Sequence, residues 1–510
     1  MATPLIRKDA WKLSAVSIWE PTLLWYAKAV GELSKRPATD PTSWRFQGAI
    51  HGYNSSTDPF IGTSPVPPAK IQKAFWKQCQ HGSWFFMPWH RMYVGFFEQI
   101  IRATVVKLGG PADWTLPYWN YSDTSNLNAK VLPPAFRQTS LPDGSPNPLF
   151  AIRGITIPRA AGIDAGDPTV IPDSDVDLNC LTESIFASAS SGGDPGFGGP
   201  QTGFQHNPAA FGALESIPHN MIHVDVGGST PVDGWMFDPD TAALDPIFWL
   251  HHANIDRLWS VWNRMSASNT DPTSTFWLTK LPFKFHDATG AVVSMKPSQI
   301  LATTTSIFSY DYEDTSDPLA TPAPALVSGV AIRSLAMQPQ AIPEMVGASE
   351  AALTLTGPVQ TTTFPIASPA GPAVLAAAMP ESAGAPAAPP QKTYLNIEHV
   401  TGEKARTTYD VYVNLPDNPD ASAYKDHYAG PLPMFGVSQA SVPSELHPGT
   451  GVHFSLDITR LINRLQASNA WNDEEIRVSF VPRAPHGAAL ESVAPVHAPI
   501  RVGRVSLYRH

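Results

Sequence analysis

Two periodicities divide the chain. From Lys392 onward apolar and polar positions alternate. Tyr409, Val411, Val413 and Leu415 are interleaved with Asp410, Tyr412 and Asn414. The same period of two runs through Val452, Phe454, Leu456 and Ile458, through Ile476, Val478 and Phe480, and through Ile500 and Val502 followed by Val505 and Leu507. Such alternation between turn residues predicts half-buried strands, and several in succession predict an antiparallel sandwich or barrel of about 120 residues. The earlier part of the chain carries helix signals instead. Asp245-Pro246 offers an N-cap and a first-turn proline ahead of a stretch without Gly or Pro, which predicts a helix to about Met265. Pro88 likewise opens a predicted helix from Trp89 to about Lys107, closed by Gly109-Gly110. Residues 215–224 form a shorter helical candidate with Pro218 in its first turn.

Composition sharpens this division into a multidomain fold. All but one of the 15 Trp fall in residues 1–315, the expected mainly α core. Residues 316–392 are rich in Ala, Pro, Ser and Thr and poor in charge, and read as a linker or as plain disorder. Residues 393–510 are the expected C-terminal antiparallel β-sandwich. With 34 basic against 44 acidic residues the net charge is −10, which argues against nucleic acid as a partner. Apolar runs such as 373–379 fall far short of the ~20 residues of a membrane span. Residues 1–20 place Arg7, Lys8, Asp9 and Lys12 where a secretory signal needs an apolar stretch, so the expected location is the cytoplasm. The two cysteines, Cys79 and Cys180, exclude a disulfide scaffold and a site built mainly of thiolates.

The candidate chemistry is a set of histidines. His219 and His223, four apart on a helix, share one face and can chelate one metal; two unrelated surface histidines are the plain alternative. A zinc-protease reading requires Glu directly after His219, where this chain has Asn220. His251 and His252 sit mid-helix about 100° apart, so only one is expected to enter a site made by the first pair. Asp256, one turn after His252, is placed to hold that ring's second N–H, unless it makes an ordinary surface salt bridge. His81 precedes Pro88 in a loop, His90 lies in the helix beyond it, and His51 adds a third ring. Phe85, Phe86, Trp89 and Tyr93 surround that set with apolar bulk.

Taken together, these blocks resemble the two copper motifs of the tyrosinase and polyphenol oxidase family of type 3 copper proteins. His51, then His81-x8-His90-Arg91, resembles the first. His219-Asn220-x2-His223, followed by Asp245-Pro-x-Phe-x2-His251-His252-x3-Asp256-Arg257, resembles the second. Leu116-Pro117-Tyr118-Trp119-Asn120 matches a stretch between them. The resemblance implies a helical bundle holding a dicopper centre, with His51, His81 and His90 on one ion and His219, His223 and His252 on the other. His251 becomes a neighbour of the ligands and Phe248 a pocket wall. It also implies O₂ as co-substrate and a small phenol as substrate, with all-imidazole ligation suited to copper. Cys79-Gln80-His81 matches the Cys-x-His that forms a thioether in fungal-type members. Glu215 and Asn220 occupy positions that hold a water near the phenol, which favours tyrosinase over catechol oxidase or o-aminophenol oxidase; a haemocyanin-like O₂ carrier is the non-enzyme alternative. Pro239 falls near the position that gates substrate in relatives. Tyr310-Asp311-Tyr312 resembles the motif that ends the catalytic core. The C-terminal strands resemble an extra domain that plugs the site, with Phe435, then Leu432 or Met434, as candidate plugs, or else an exposed connection over residues 428–437. The Cys-x-x-Cys of fungal extra domains is absent, and the oligomeric state stays open.

Overall fold

Helices in the first region begin and end where local chemistry satisfies their terminal groups. The computed structural model describes residues 3–188, 193–203, 210–229, 233–320, 343–367, 392–444, 448–484 and 498–509. Helix α1 (Pro21–Lys35) starts with proline, and the Glu20 side chain accepts the N–H of Thr22 at 2.7 Å. Helix α2 (Trp44–His51) is capped by Ser43, whose Oγ accepts from Phe46 N at 3.2 Å. Helix α3 (Phe86–Lys107) runs through Pro88 in its first turn and is left at Gly109, which takes a φ of 88° that residues with a Cβ avoid. Helix α4 (Met221–Gly227) is short, and helix α5 (Ile247–Met265) follows Asp245, whose Oδ1 accepts from Ile247 N at 3.2 Å while the carboxylate holds Arg159 at 2.8 Å through each oxygen.

One helix departs from expectation. Residues 215–224 are not continuous: a wide turn over Glu215–Asn220 breaks at Ile217, whose φ of −141° and ψ of 124° are extended, and α4 begins only at Met221. The cause is Pro218, which pushes the residue before it out of the helical region.

Helices α3 and α5 pack along their length. Phe97 and Trp249 stack with centroids 3.4 Å apart at 9°. Near the far end lies a buried cluster of charge. Asp256 on α5 accepts from Arg91 Nε on α3 at 2.5 Å, from Arg7 at 3.2 Å, from Tyr312 at 2.6 Å and from the Tyr310 hydroxyl. Arg7 also donates to Glu98 on α3 at 2.7 Å. Arg7 and the tyrosines come from strands β1 (Leu5–Arg7) and β2 (Tyr310–Tyr312), which pair in parallel and close the first unit with its own two ends. Asp256 was expected on the His252 ring or at the surface; it is neither. Two guanidiniums and two phenols draw the carboxylate away from the histidines.

The described residues group into two units, one within 1–187, 196–206 and 212–335, the other within 188–195, 207–211 and 336–510. The second unit contains strands β3 (Glu344–Ala348), β4 (Leu353–Leu355), β5 (Gln360–Pro365), β6 (Thr393–Val400), β7 (Tyr409–Val413), β8 (Tyr428–Leu432), β9 (Val452–Asp457), β10 (Glu475–Pro482), β11 (Ile500–Val502) and β12 (Arg504–Arg509). Two four-stranded antiparallel sheets, ordered β9-β6-β12-β3 and β8-β7-β10-β5, form the expected sandwich. Leu395, Ile397, Val411, Val478, Phe480 and Leu507 are buried between them. The sheets meet at both edges: a Cβ at Gly347 on β3 would lie 2.6 Å from the Pro365 carbonyl of β5, and one at Gly430 on β8 would lie 3.1 Å from Leu456 of β9.

Strands β3 to β5 correct the expected linker over 316–392. The run Thr361-Thr362-Thr363-Phe364 is β-branched but only weakly apolar, so its strand character was hidden in a Thr- and Ala-rich stretch. The remaining parts of that linker at 321–342 and 368–391 lie outside the described residues. Among the described residues, no helix is long and apolar enough to cross a membrane.

Burial alone would raise the Asp256 carboxyl, yet Arg91, Arg7 and the two phenols hold it below its ordinary value. Its contribution to stability is therefore present at neutral pH and lost as pH falls through that lowered value. Asp256→Asn should cost about 3–5 kcal/mol of unfolding free energy at pH 7, because it leaves the buried Arg91 guanidinium without its carboxylate and takes one of two from Arg7, which keeps Glu98. Urea unfolding at pH 7 and in acid checks this: the gap between wild type and variant should narrow in acid, and an equal gap at both would refute it.

Candidate metal centre

Two groups of histidines converge between α2, α3, α4 and α5. In the first, His51 ends α2, His90 stands in the first turns of α3, and His81 comes from the loop before it. Their ring centroids are 5.3 Å (His51–His81), 5.5 Å (His81–His90) and 5.9 Å (His51–His90) apart, and the donor atoms of these three and of Cys79 all lie within 4.8 Å of one another. In the second, donor atoms of His219, His223, His251 and His252 lie within 4.8 Å of one another. The groups face each other: His90 and His252 stack at 4.4 Å and 10°.

Main-chain carbonyls set the protonation of the rings. His51 Nδ1 is 2.9 Å from the Pro239 carbonyl, His90 Nδ1 2.8 Å from that of Phe86, and His223 Nδ1 2.9 Å from that of Met236. Since a carbonyl only accepts, each Nδ1 carries the hydrogen and each Nε2 keeps its lone pair for a metal. His219 Nδ1 makes the equivalent bond to Asn220 Oδ1 at 2.9 Å. Both nitrogens of His252 are buried without a hydrogen-bond partner among the described residues. Burial, reinforced by neighbouring imidazoles, pushes His90, His219, His223, His251 and His252 well below the ordinary histidine range. The result is a cage of neutral imidazoles, and that donor set fits copper.

The other candidate residues divide. Phe248 packs on His252 at 4.2 Å and on His51 at 5.0 Å, as a wall would. Cys79 Sγ lies 3.4 Å from His81 Nδ1 and 3.6 Å from its Nε2, and 3.2 Å from His90 Nε2. Glu215 is buried, and both its oxygens accept from Gly82 N at 3.0 Å. Asn220 turns its oxygen to His219 and leaves Nδ2 buried without a partner among the described residues. Pro239 contributes its carbonyl to His51. The expectation that only one of His251 and His252 enters the site is corrected: their centroids lie 5.2 and 5.0 Å from His219, so both rings reach it. His251 differs in having a partner, the Tyr121 hydroxyl 3.1 Å from its Nδ1. Sequence reasoning missed Tyr121, which directly follows the matched Leu116–Asn120 stretch, and it missed the carbonyl partners, which no side chain announces.

Residues 41–265 match the family model described as the common central domain of tyrosinase, and residues 342–510 match a domain of unknown function. A tyrosinase of Hahella sp. (strain CCB-MM4) is 36% identical over 505 residues, covering 96% of this chain and 97% of that protein. The chain belongs to the tyrosinase family. A chloroplastic polyphenol oxidase of Malus domestica is 26% identical over 476 residues, covering 90% of this chain and 72% of its own. In fold, this tyrosinase-family chain is similar to latent apple tyrosinase, with a TM-score of 0.59 at 21% identity over 99% of this chain and 97% of that one. Recombinant latent aurone synthase gives a TM-score of 0.61 at 18% identity, covering 100% of this chain and 90% of that one. Both carry a helical core and a C-terminal β domain. As a tyrosinase-family member the protein is a type 3 dicopper oxidoreductase that uses O₂ to oxidise phenols, with two copper ions as cofactor.

Proposed function

We propose that the enzyme hydroxylates monophenols at the ortho position and oxidises the resulting diphenols to o-quinones. In this reading His51, His81 and His90 hold one copper, and His219, His223 and His252 hold the other. His252 is preferred to His251 because neither of its nitrogens has a partner among the described residues, whereas the Tyr121 hydroxyl, which unlike a carbonyl can donate, sits on Nδ1 of His251 and would leave that ring's hydrogen on Nε2. When bound, the copper pair supplies the redox chemistry that activates O₂. The chain's own residues do the rest. The carbonyls of Pro239, Phe86 and Met236 aim three rings inward, and Phe248 bounds the phenol. Cys79 Sγ lies 3.4 and 3.6 Å from the two nitrogens of His81, near enough for a thioether to the carbon between them. A thioether there would fix the ring whose burial is least complete. Its formation joins sulfur to that carbon and releases two protons and two electrons, the electrons going to O₂.

The observation that carries the monophenol reading is Glu215. Burial pushes its carboxyl well above the ordinary glutamate range, against the pull of backbone N–H groups. An ionised Glu215, with the spare Asn220 amide, is a strong proton acceptor for a water that deprotonates the phenol. Monophenol turnover should therefore fall as pH drops through that raised value. Glu215→Gln should lower kcat/KM for L-tyrosine about a hundredfold while changing catechol less than about threefold. Equal losses on both substrates would instead favour a diphenol oxidase in which Glu215 serves the fold.

We further propose that the C-terminal unit restrains the site; the apple tyrosinase and the aurone synthase of similar fold are latent forms. Phe435 is the first candidate plug, ahead of Leu432 and Met434. All three are buried, so the 428–437 segment is not an exposed connection. Phe435→Ala in the full chain should raise diphenol turnover several-fold with copper content unchanged. Unaltered kinetics in all three single alanine variants would leave the unit a stabilising rather than a restraining role.

A further inference from the structure

The C-terminal unit holds a histidine pair that phenol oxidation does not use. Between the register pairs Ile397–Phe454 and Val400–Val452, two residues of β6, Glu398 and His399, stand opposite one residue of β9, His453. This is a β-bulge. It places His399 in the left-handed region at a φ of 53°, uncommon for any residue with a Cβ. Bulges re-aim side chains, and strained backbone is retained where the surroundings require it. Here the re-aimed ring meets its neighbour: the imidazoles of His399 and His453 have centroids 4.4 Å apart at 72°, with His453 Nε2 3.3 Å from His399 Nδ1.

We propose that His399 and His453 bind a divalent late transition metal ion, zinc or copper, at a site built from residues that take no part in the dicopper centre. Two imidazole nitrogens, each about 2.0–2.1 Å from a tetrahedral ion, lie about 3.3–3.4 Å apart. The observed spacing is 3.3 Å. Imidazole suits zinc and copper alike, and the exposure of His399 leaves the other coordination positions to water. The charged groups acting on His453 are Glu398 and Arg504. They are spent on each other, with Arg504 donating to Glu398 at 2.9 and 2.5 Å, while Ser506 donates to the second carboxylate oxygen. Burial and the adjacent His399 push the His453 ring down to about 4, so it is neutral at pH 7 and has a lone pair to offer.

The test uses full-length, copper-replete protein equilibrated with Zn(II) at pH 7, with zinc and copper both counted by elemental analysis. One zinc per chain is expected beside an unchanged copper content. His399→Asn, which suits the left-handed backbone, and His453→Gln should each weaken zinc binding at least tenfold while leaving copper content and phenol oxidation as in wild type. No zinc above background in wild type would reduce the pair to an N–H···N hydrogen bond. Equal zinc in wild type and both variants, or zinc gained only as copper is lost, would equally overturn the site.

Discussion

Asp256 is the point on which the catalytic unit is hung. It lies one turn beyond His252 on α5 and takes Arg91, the neighbour of His90, from α3. The two helices that carry facing rings of the two histidine groups are thereby joined within one turn of those rings. Arg7 and the tyrosines of β2 complete the cluster, so the beginning and the end of the unit are tied to the same carboxylate. Cation–π contacts hold both guanidiniums flat, Arg7 over Tyr310 and Arg91 over Trp259, each at 3.6 Å. Burying such charges costs several kcal/mol per ion, and an apolar cluster of equal volume would often stabilise as well. What an apolar cluster lacks is directional bonding that fixes one helix register against the other.

Given that frame, the metal cage is assembled from inexpensive parts. A carbonyl is available at every residue, and three of them here turn flexible imidazoles into donors of fixed orientation and fixed tautomer. Dense aromatic packing keeps the rings neutral, because protonated imidazoles in that environment would repel one another as well as lose hydration. The same burial that makes the cage ready for metal raises the basicity of Glu215 nearby. One physical condition, burial away from bulk water, thus sets both the neutral state of the rings and the raised carboxyl of Glu215.

The site was legible in the sequence because its elements are side chains at helical or motif spacing. His219 and His223 converge with centroids 4.7 Å apart even though the predicted helix breaks at Ile217, because the break falls before both. What was not legible has physical causes. The partners of Asp256 include Arg7, which is 249 residues away, and a carboxylate one turn past a histidine reads locally as that histidine's support. The carbonyls that orient the rings have no sequence identity at all. The strands at 344–365 were hidden because β-branched threonines fill the ladder while only a few large apolar residues mark the buried face. His251 and His252 both reach the site because a centre lined on several sides accepts rings about 100° apart on one helix.

The most direct test of the account is copper stoichiometry in the full-length protein and in two adjacent histidine variants. Wild type should bind two coppers per chain and turn over both L-tyrosine and catechol. His252→Ala should keep one copper and lose both activities, whereas His251→Ala should keep two. Two coppers retained in His252→Ala, or a wild type that binds two coppers yet turns over neither phenol, would contradict it.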